Sequence, residues 1–171
     1  MLNGTVGNKA SAGCYHFGSV AKTQRNSYRE CHSRAGYLVE ITSEVEHHYL
    51  SQKLQEIHNM QKSWDKWWIG LYLKRDDSNN HVDNNEGSGV NTASEIMDYP
   101  ERDVFPGDSN WIWKRSQLPL SNQIYTGWFD GSTNRLEGNC VLSDHMSSWM
   151  WRTSKCSQKH YFICEIDGIR F

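Results

Sequence analysis

The sequence lacks any stretch that could cross a membrane and any motif of a common enzyme class. No run of about 18 apolar residues occurs, which excludes a transmembrane helix. A GxSxG nucleophile elbow, a phosphate-binding P-loop and a dinucleotide-binding glycine pattern are all absent. Neither sign of charge dominates, because 18 Lys and Arg oppose 20 Asp and Glu, a net charge of −2. We therefore expect neither an enzyme nor a nucleic-acid partner.

Proline is scarce, with three residues in 171, but aromatic residues are plentiful. Eight Trp, eight Tyr and five Phe supply bulky side chains for a hydrophobic core. The length fits one ordinary domain.

The five cysteines follow no CxxC spacing, which disfavours a zinc site or a thioredoxin-like redox motif. Three of them, Cys140, Cys156 and Cys164, lie close together near the end of the chain. This pattern is typical of a disulfide framework formed in an oxidising compartment, so we expect an extracellular protein. The alternative is a set of reduced, buried thiols, and spacing alone does not define the pairs.

Two helices are predicted in the first third of the chain. The first falls within residues 23–35, which contain no Gly or Pro and precede Gly36. The second begins at Ser43, which forms a capping box with Glu46, and extends to about residue 60. Apolar residues recur along it at helical spacing: Val45, Tyr49, Leu50, Leu54 and Ile57.

Short strands are predicted around these helices, which together favour an α+β domain rich in loops. Residues 1–13 are small and polar and indicate a flexible N-terminal tail, so that a single domain spans residues 14–167. Residues 74–110 carry nine acidic and three basic side chains and indicate an acidic surface insertion. The predicted strands lie at residues 14–17, 37–41, 67–72, 111–113, 139–142, 149–151 and 160–164.

Four motifs in this order resemble those of the C-type lectin-like domain. Residues 35–46, AGYLVEITSEVE, resemble the family pattern GGxLVxIxSxxE, and residues 68–71 are its WIGL signature. Residues 111–113 (WIW) and 162–165 (FICE) resemble its WxW strand and its closing strand. The resemblance implies a C-type lectin-like fold of two helices and short antiparallel strands, stapled by disulfides and carrying a long loop.

The resemblance also implies which cysteines pair. Cys31 on the first helix would join Cys164 on the last strand, and Cys140 would join Cys156. Cys14 stands outside these pairs, and its usual partner in long members of the family lies upstream. We expect it either to remain a thiol or to bridge two chains in a disulfide-linked homodimer.

Sugar-binding members of the family hold Ca²⁺ in the long loop through a ring of oxygen ligands. The resemblance places these ligands here at Ser132, Asn134, Gly138, Arg152 and Thr153. Only Asn134 keeps the family's residue type, and Arg152 adds a permanent positive charge. We therefore predict no metal cofactor and no Ca²⁺-dependent sugar site.

The long-loop face remains the candidate binding surface. We propose that it binds a protein or glycan ligand, and we favour a protein or an anion because five basic residues lie around the loop: Lys114, Arg115, Arg135, Arg152 and Lys155. The alternatives are ordinary surface charge, and a lectin that binds sugars by aromatic stacking and direct hydrogen bonds. The residues of the long-loop face are Asp130, Ser132, Asn134, Arg135, Trp149, Arg152 and Lys155.

No candidate catalytic residue emerges. Glu46-His47-His48 lies on a helix but does not form the HExxH of a zinc protease, so we expect surface histidines. Ser143-Asp144-His145 places three triad residue types side by side, and adjacency in sequence does not create triad geometry.

Overall fold

The computed structural model describes residues 2–3, 14–74, 111–129 and 137–166. These residues form two α-helices, α1 (Gln24–Ser33) and α2 (Glu44–Met60), and eight β-strands. The strands are β1 (Leu2–Asn3), β2 (Cys14–Lys22), β3 (Gly36–Leu38), β4 (Lys66–Leu73), β5 (Trp111–Trp113), β6 (Cys140–Asp144), β7 (Trp151–Ser154) and β8 (His160–Ile166).

The α+β fold class is confirmed, and α2 begins after Ser43 as its predicted cap requires. The Thr23 side chain accepts a hydrogen bond from Asn26 N–H at the start of α1, and Ser43 accepts one from Glu46 N–H at the start of α2. The Glu46 carboxylate also holds the segment before α2 and strand β2. It accepts from Thr42 N–H at 3.1 Å, and its other oxygen accepts from the Tyr15 hydroxyl at 2.9 Å.

One sheet contains all the described strands, in the order β1-β2-β8-β4-β6-β7, with β3 also paired to β8 and β5 to β4. Every pairing is antiparallel except that of β4 with β8, which is parallel. The last strand therefore lies in the middle of the sheet, between β2 and β4.

Both predicted disulfides are confirmed. Cys31 of α1 is joined to Cys164 of β8, and Cys140 of β6 to Cys156 beyond β7. All four cysteines are buried in one hydrophobic cluster with Trp68 and Phe162. Each bridge thus joins elements that already pack together.

Several strand boundaries and one helix face differ from the sequence-based prediction, and β2 extends from the predicted residues 14–17 to Lys22. Ser148 and Trp149 adopt left-handed backbone angles (φ 55° and 66°), so they form a turn and the strand starts at Trp151. Val45 is 60% exposed although it was predicted on the apolar face of α2. The buried face of this helix includes Glu46 and His47 instead. The strand predicted over residues 37–41 ends at Leu38.

The N-terminal segment and the acidic insertion are described only in part. Leu2 and Asn3 pair with Tyr15 and Cys14 of β2, within a region that was expected to be a tail. Residues 4–13 and nearly all of the acidic insertion lie outside the described residues. Neither α-helix of the described residues has the length and the apolar run that a membrane span requires.

Candidate ligand-binding site

Trp151, the first residue of β7, is the centre of an aromatic cluster at the base of the long loop. Its buried ring meets those of Trp113 and Trp128 nearly edge-to-face, with centroids 5.6 and 5.8 Å apart. Its backbone N–H donates to the carbonyl of Gly127 at 2.7 Å, and its carbonyl accepts from Phe129 N–H at 3.1 Å. The last described residues before position 130 are thereby held against β7.

His47 joins helix α2 to the same segment. Its Nε2 lies 3.0 Å from the carbonyl oxygen of Trp149, and its Nδ1 pairs with the Tyr125 hydroxyl. A carbonyl can only accept, so Nε2 carries the hydrogen and Tyr125 donates to Nδ1. Burial lowers the pKa of His47, which favours this neutral form, and burial raises the pKa of Tyr125 to about 12.

Arg152 of β7 is bound by carboxylates from two neighbouring segments. Its Nη2 donates to Glu137 Oε1 at 3.2 Å, and its Nη1 lies 3.7 Å from Asp144 Oδ2. The Asp144 side chain is buried, whereas that of Glu137 is mostly exposed. The charge of Arg152 is therefore largely balanced by the protein's own carboxylates.

Gly138 occupies the position where the family resemblance implies a glutamate ligand for Ca²⁺. A Cβ atom on Gly138 would collide with the carbonyl oxygen of Ser154 and the backbone nitrogen of Lys155. Backbone atoms of a strand end cannot swing aside as a flexible side chain can. Position 138 thus has no room for the ligand.

Thr153 stands where the resemblance implies an aspartate ligand. It is buried, and its hydroxyl oxygen accepts a hydrogen bond from Glu137 N–H at 2.8 Å. Gly138, Arg152 and Thr153 therefore do not fit the direct coordination of Ca²⁺. Among the described residues, no three His, Cys, Asp or Glu side chains group as a metal site.

We expect Gly138→Ala to lower the free energy of unfolding by about 1–3 kcal/mol, because the added methyl group forces the β7 end to move. Urea unfolding measures the change. The adjacent Asn139→Ala is the control and should shift stability by less than about 0.5 kcal/mol. Unchanged stability in Gly138→Ala would mean that a side chain does fit at this position.

The protein family of this chain is identified by its match to a family model. The model described as the Lectin C-type domain matches residues 20–104 and 105–166, which is most of the chain. The chain belongs to the C-type lectin domain family. C-type lectin domains are generally non-enzymatic modules that recognise carbohydrates or proteins.

Solved C-type lectin structures share this fold. Human lithostathine is 19% identical at a TM-score of 0.57, over 94% of this chain and 88% of its own. The cow carbohydrate-recognition domain of CD23, solved in the presence of GlcNAc2Man3 oligosaccharide, is 22% identical at 0.58, over 99% and 100%. The C-type lectin domain of murine dendritic cell inhibitory receptor 2, in complex with N-glycan, is 20% identical at 0.58, over 91% of each chain. These identities establish the fold alone.

Three of the seven long-loop-face residues are described in this C-type lectin domain. Lys155 is exposed directly after β7, and Arg152 is partly exposed. Trp149 is only 4% exposed, and its Nε1 donates to Gln55 of α2 at 3.0 Å, so its ring faces the helix. The other four lie outside the described residues: Asp130, Ser132, Asn134 and Arg135.

The basic residues that the sequence groups together lie in two places. The Lys114 ammonium lies over Tyr28 of α1 and Tyr72 of β4, and the Arg115 guanidinium lies 3.7 Å from the ring centroid of Tyr37 in β3. Arg152 instead pairs with carboxylates beside β6 and β7, as described above. Lys114 and Arg115 therefore belong to the surface around α1.

Sequence reasoning missed His47 as part of this site. Its spacing of three and seven residues from Leu50 and Leu54 places it on the buried side of α2, a signal that the sequence does contain. The role of Glu137 had no such signal, because its contact with Arg152 spans 15 residues of loop and strand.

Proposed function

We propose that this C-type lectin domain is an extracellular, non-enzymatic recognition module whose long-loop face binds a protein or an anionic ligand without Ca²⁺. The observation that carries this proposal is the state of positions 138, 152 and 153. Gly138 has no room for a side chain. The guanidinium of Arg152 is paired with Glu137, and the hydroxyl of Thr153 is buried and hydrogen-bonded. Binding must then rely on the protein's own groups.

The charge and rigidity of the described part support this kind of recognition. Trp151 and His47 fix the backbone of residues 127–129 against β7 and α2, which reduces the entropy lost when a partner binds. Lys155 supplies an exposed cation directly after β7, near Arg152, whose guanidinium is already paired with Glu137 and Asp144. A partner with acidic groups complements this edge.

Carbohydrate binding without Ca²⁺ is the second candidate, and three aromatic side chains favour it. Tyr125, Trp128 and Phe129 are only partly buried at the loop base, and such rings can stack on sugars. A glycan array probed in chelator separates the candidates, because specific binding there supports this one.

The two disulfides fit an extracellular location, since reducing compartments keep thiols unpaired. The bridge between two chains at Cys14 stays a prediction.

Calorimetric titration of Ca²⁺ into chelator-treated protein tests the proposal. We expect no binding heat, no shift of the melting temperature, and no Ca²⁺-dependent retention on mannose or galactose resin. Saturable binding at micromolar to millimolar Ca²⁺ would contradict it if the heat disappears in Asn134→Ala, the one ligand position of unchanged type. Binding that survives in Asn134→Ala, without retention on the resins, would leave the long-loop proposal intact and place the ion elsewhere.

A further inference from the structure

Helix α1 carries a stripe of basic and aromatic side chains along one side. Arg25, Tyr28, Arg29 and His32 are spaced three or four residues apart, so they lie on the same face of the helix. Tyr28 is partly exposed and stacks on His32, and the other three residues are exposed. The stripe covers about 10 Å of helix axis, at about 1.5 Å per residue.

The acidic residue of α1 lies on another side of the helix. Glu30 binds Lys22 Nζ at 2.8 Å and Arg34 Nη2 at 3.0 Å, and these two cations hold its pKa below the usual range. It follows that the carboxylate of Glu30 is already engaged and does not balance the charge of the stripe.

Lys114, which follows β5, extends the stripe beyond the helix. Its Nζ lies 4.8 Å from the ring centroid of Tyr28 and 5.5 Å from that of Tyr72, a cation–π arrangement. Glu40 fixes the next turn by accepting N–H bonds from Arg115 and Ser116 at 2.8 and 3.0 Å. We call Arg25, Tyr28, Arg29, His32 and Lys114 the α1 basic face.

None of the ion pairs within the described part of the chain includes Lys114. Burial, and then the nearby charge of Arg25, lowers the pKa of Lys114 to about 8. At pH 7 the ammonium form still dominates, although the like charge of Arg25 opposes it.

We propose that the α1 basic face binds a sulfated polysaccharide. Such a chain is a linear polyanion, which matches cations arranged along a helix, and the Arg29 guanidinium can bind a sulfate through two parallel hydrogen bonds. The extracellular setting favours a polysaccharide over a nucleic acid.

Lys114 of this site and Arg152 of the long-loop face contact different parts of the fold. Lys114 contacts α1 and β4, whereas Arg152 is bound by Glu137 and Asp144, so one surface can be altered without the other. The net charge of −2 does not reveal the α1 basic face, because residues 74–110 alone carry nine of the 20 acidic side chains.

A heparin-derived octasaccharide, titrated calorimetrically at two salt concentrations, tests the proposal. We expect Arg29→Gln/Lys114→Gln to weaken binding by about tenfold or more, and to reduce the slope of log affinity against log salt by about two, because two fewer counterions are released. Arg29→Gln alone changes one exposed side chain, keeps the fold, and should weaken binding about threefold to fivefold.

The matched control is Lys53→Gln/Lys62→Gln, which removes the same charge from α2 and the turn after it. We expect it to bind like the unmodified protein. Equal loss in both double variants would overturn the proposal in favour of non-specific charge, and loss in the control alone would overturn it by assigning the anion to the region of α2. Equal affinity for de-N-sulfated heparin or for a single-stranded oligonucleotide would also overturn it.

Discussion

Removing the disulfide between Cys31 and Cys164 as the double variant Cys31→Ala/Cys164→Ala should lower the free energy of unfolding by about 4–5 kcal/mol. The bridge closes a loop of 133 residues, so it restricts the unfolded chain strongly in the chain-entropy model. A loss of this size is comparable to the whole stability of many domains. We therefore expect the variant to be largely unfolded at 37 °C, as measured by near-UV circular dichroism and urea unfolding.

The second disulfide provides the internal control. Cys140→Ala/Cys156→Ala opens a loop of only 16 residues and should cost about 3 kcal/mol. The four cysteines share one buried cluster, so both variants lose similar packing and their difference reports mainly on loop length. A larger loss for the short bridge would contradict the entropic explanation.

Trp151→Ala should be the most damaging single substitution in the candidate site, with a loss of about 3–5 kcal/mol. The indole is fully buried, and its removal leaves a cavity between Trp113, Trp128 and His47. Hydrogen exchange at the amides of Trp151 and Phe129 should also accelerate, because their hydrogen bonds hold the loop base against β7.

Trp151→Phe and Trp64→Ala are the controls for that substitution. No hydrogen-bond partner of the Trp151 Nε1 is found among the described residues, so Phe keeps an aromatic ring and removes a buried donor, and its loss should be much smaller. Trp64 is the same residue type but only partly buried, and its truncation should cost less than that of Trp151. Equal losses at positions 64 and 151 would refute the central role of Trp151.

Most of the fold could be predicted because its signals are local. Ser43 marks the start of α2 through a short-range cap, and the WIGL segment is a continuous apolar strand. The disulfide pairs came from the family resemblance and not from spacing, since five cysteines allow many pairings.

The errors arose where tertiary packing overrode a local pattern. Val45 is apolar yet exposed, while Glu46 beside it is buried because Tyr15 and Thr42 supply its hydrogen bonds. Trp149 belongs to the apolar run of residues 149–151, which predicted a strand. Its left-handed backbone places it in a turn before the strand, and its ring faces α2.

The candidate site was predictable only as a list of missing ligands. The sequence shows that Gly138 is not glutamate, but only the structure shows that Ser154 and Lys155 fill the space. Likewise, the charge of Arg152 is visible in the sequence, while its neutralisation by Glu137 and Asp144 depends on contacts across the fold.

The place of β8 in the sheet has a consequence for how the chain acquires its structure during synthesis. β8 is the last described strand to leave the ribosome, yet β2, β3 and β4 all pair with it. Until then, β2 and β4 present open edges that can join other chains. The helices can form early, but the sheet closes only through contacts between distant residues, which makes folding slow and late. This topology thus ties productive folding to the completion of translation through Ile166.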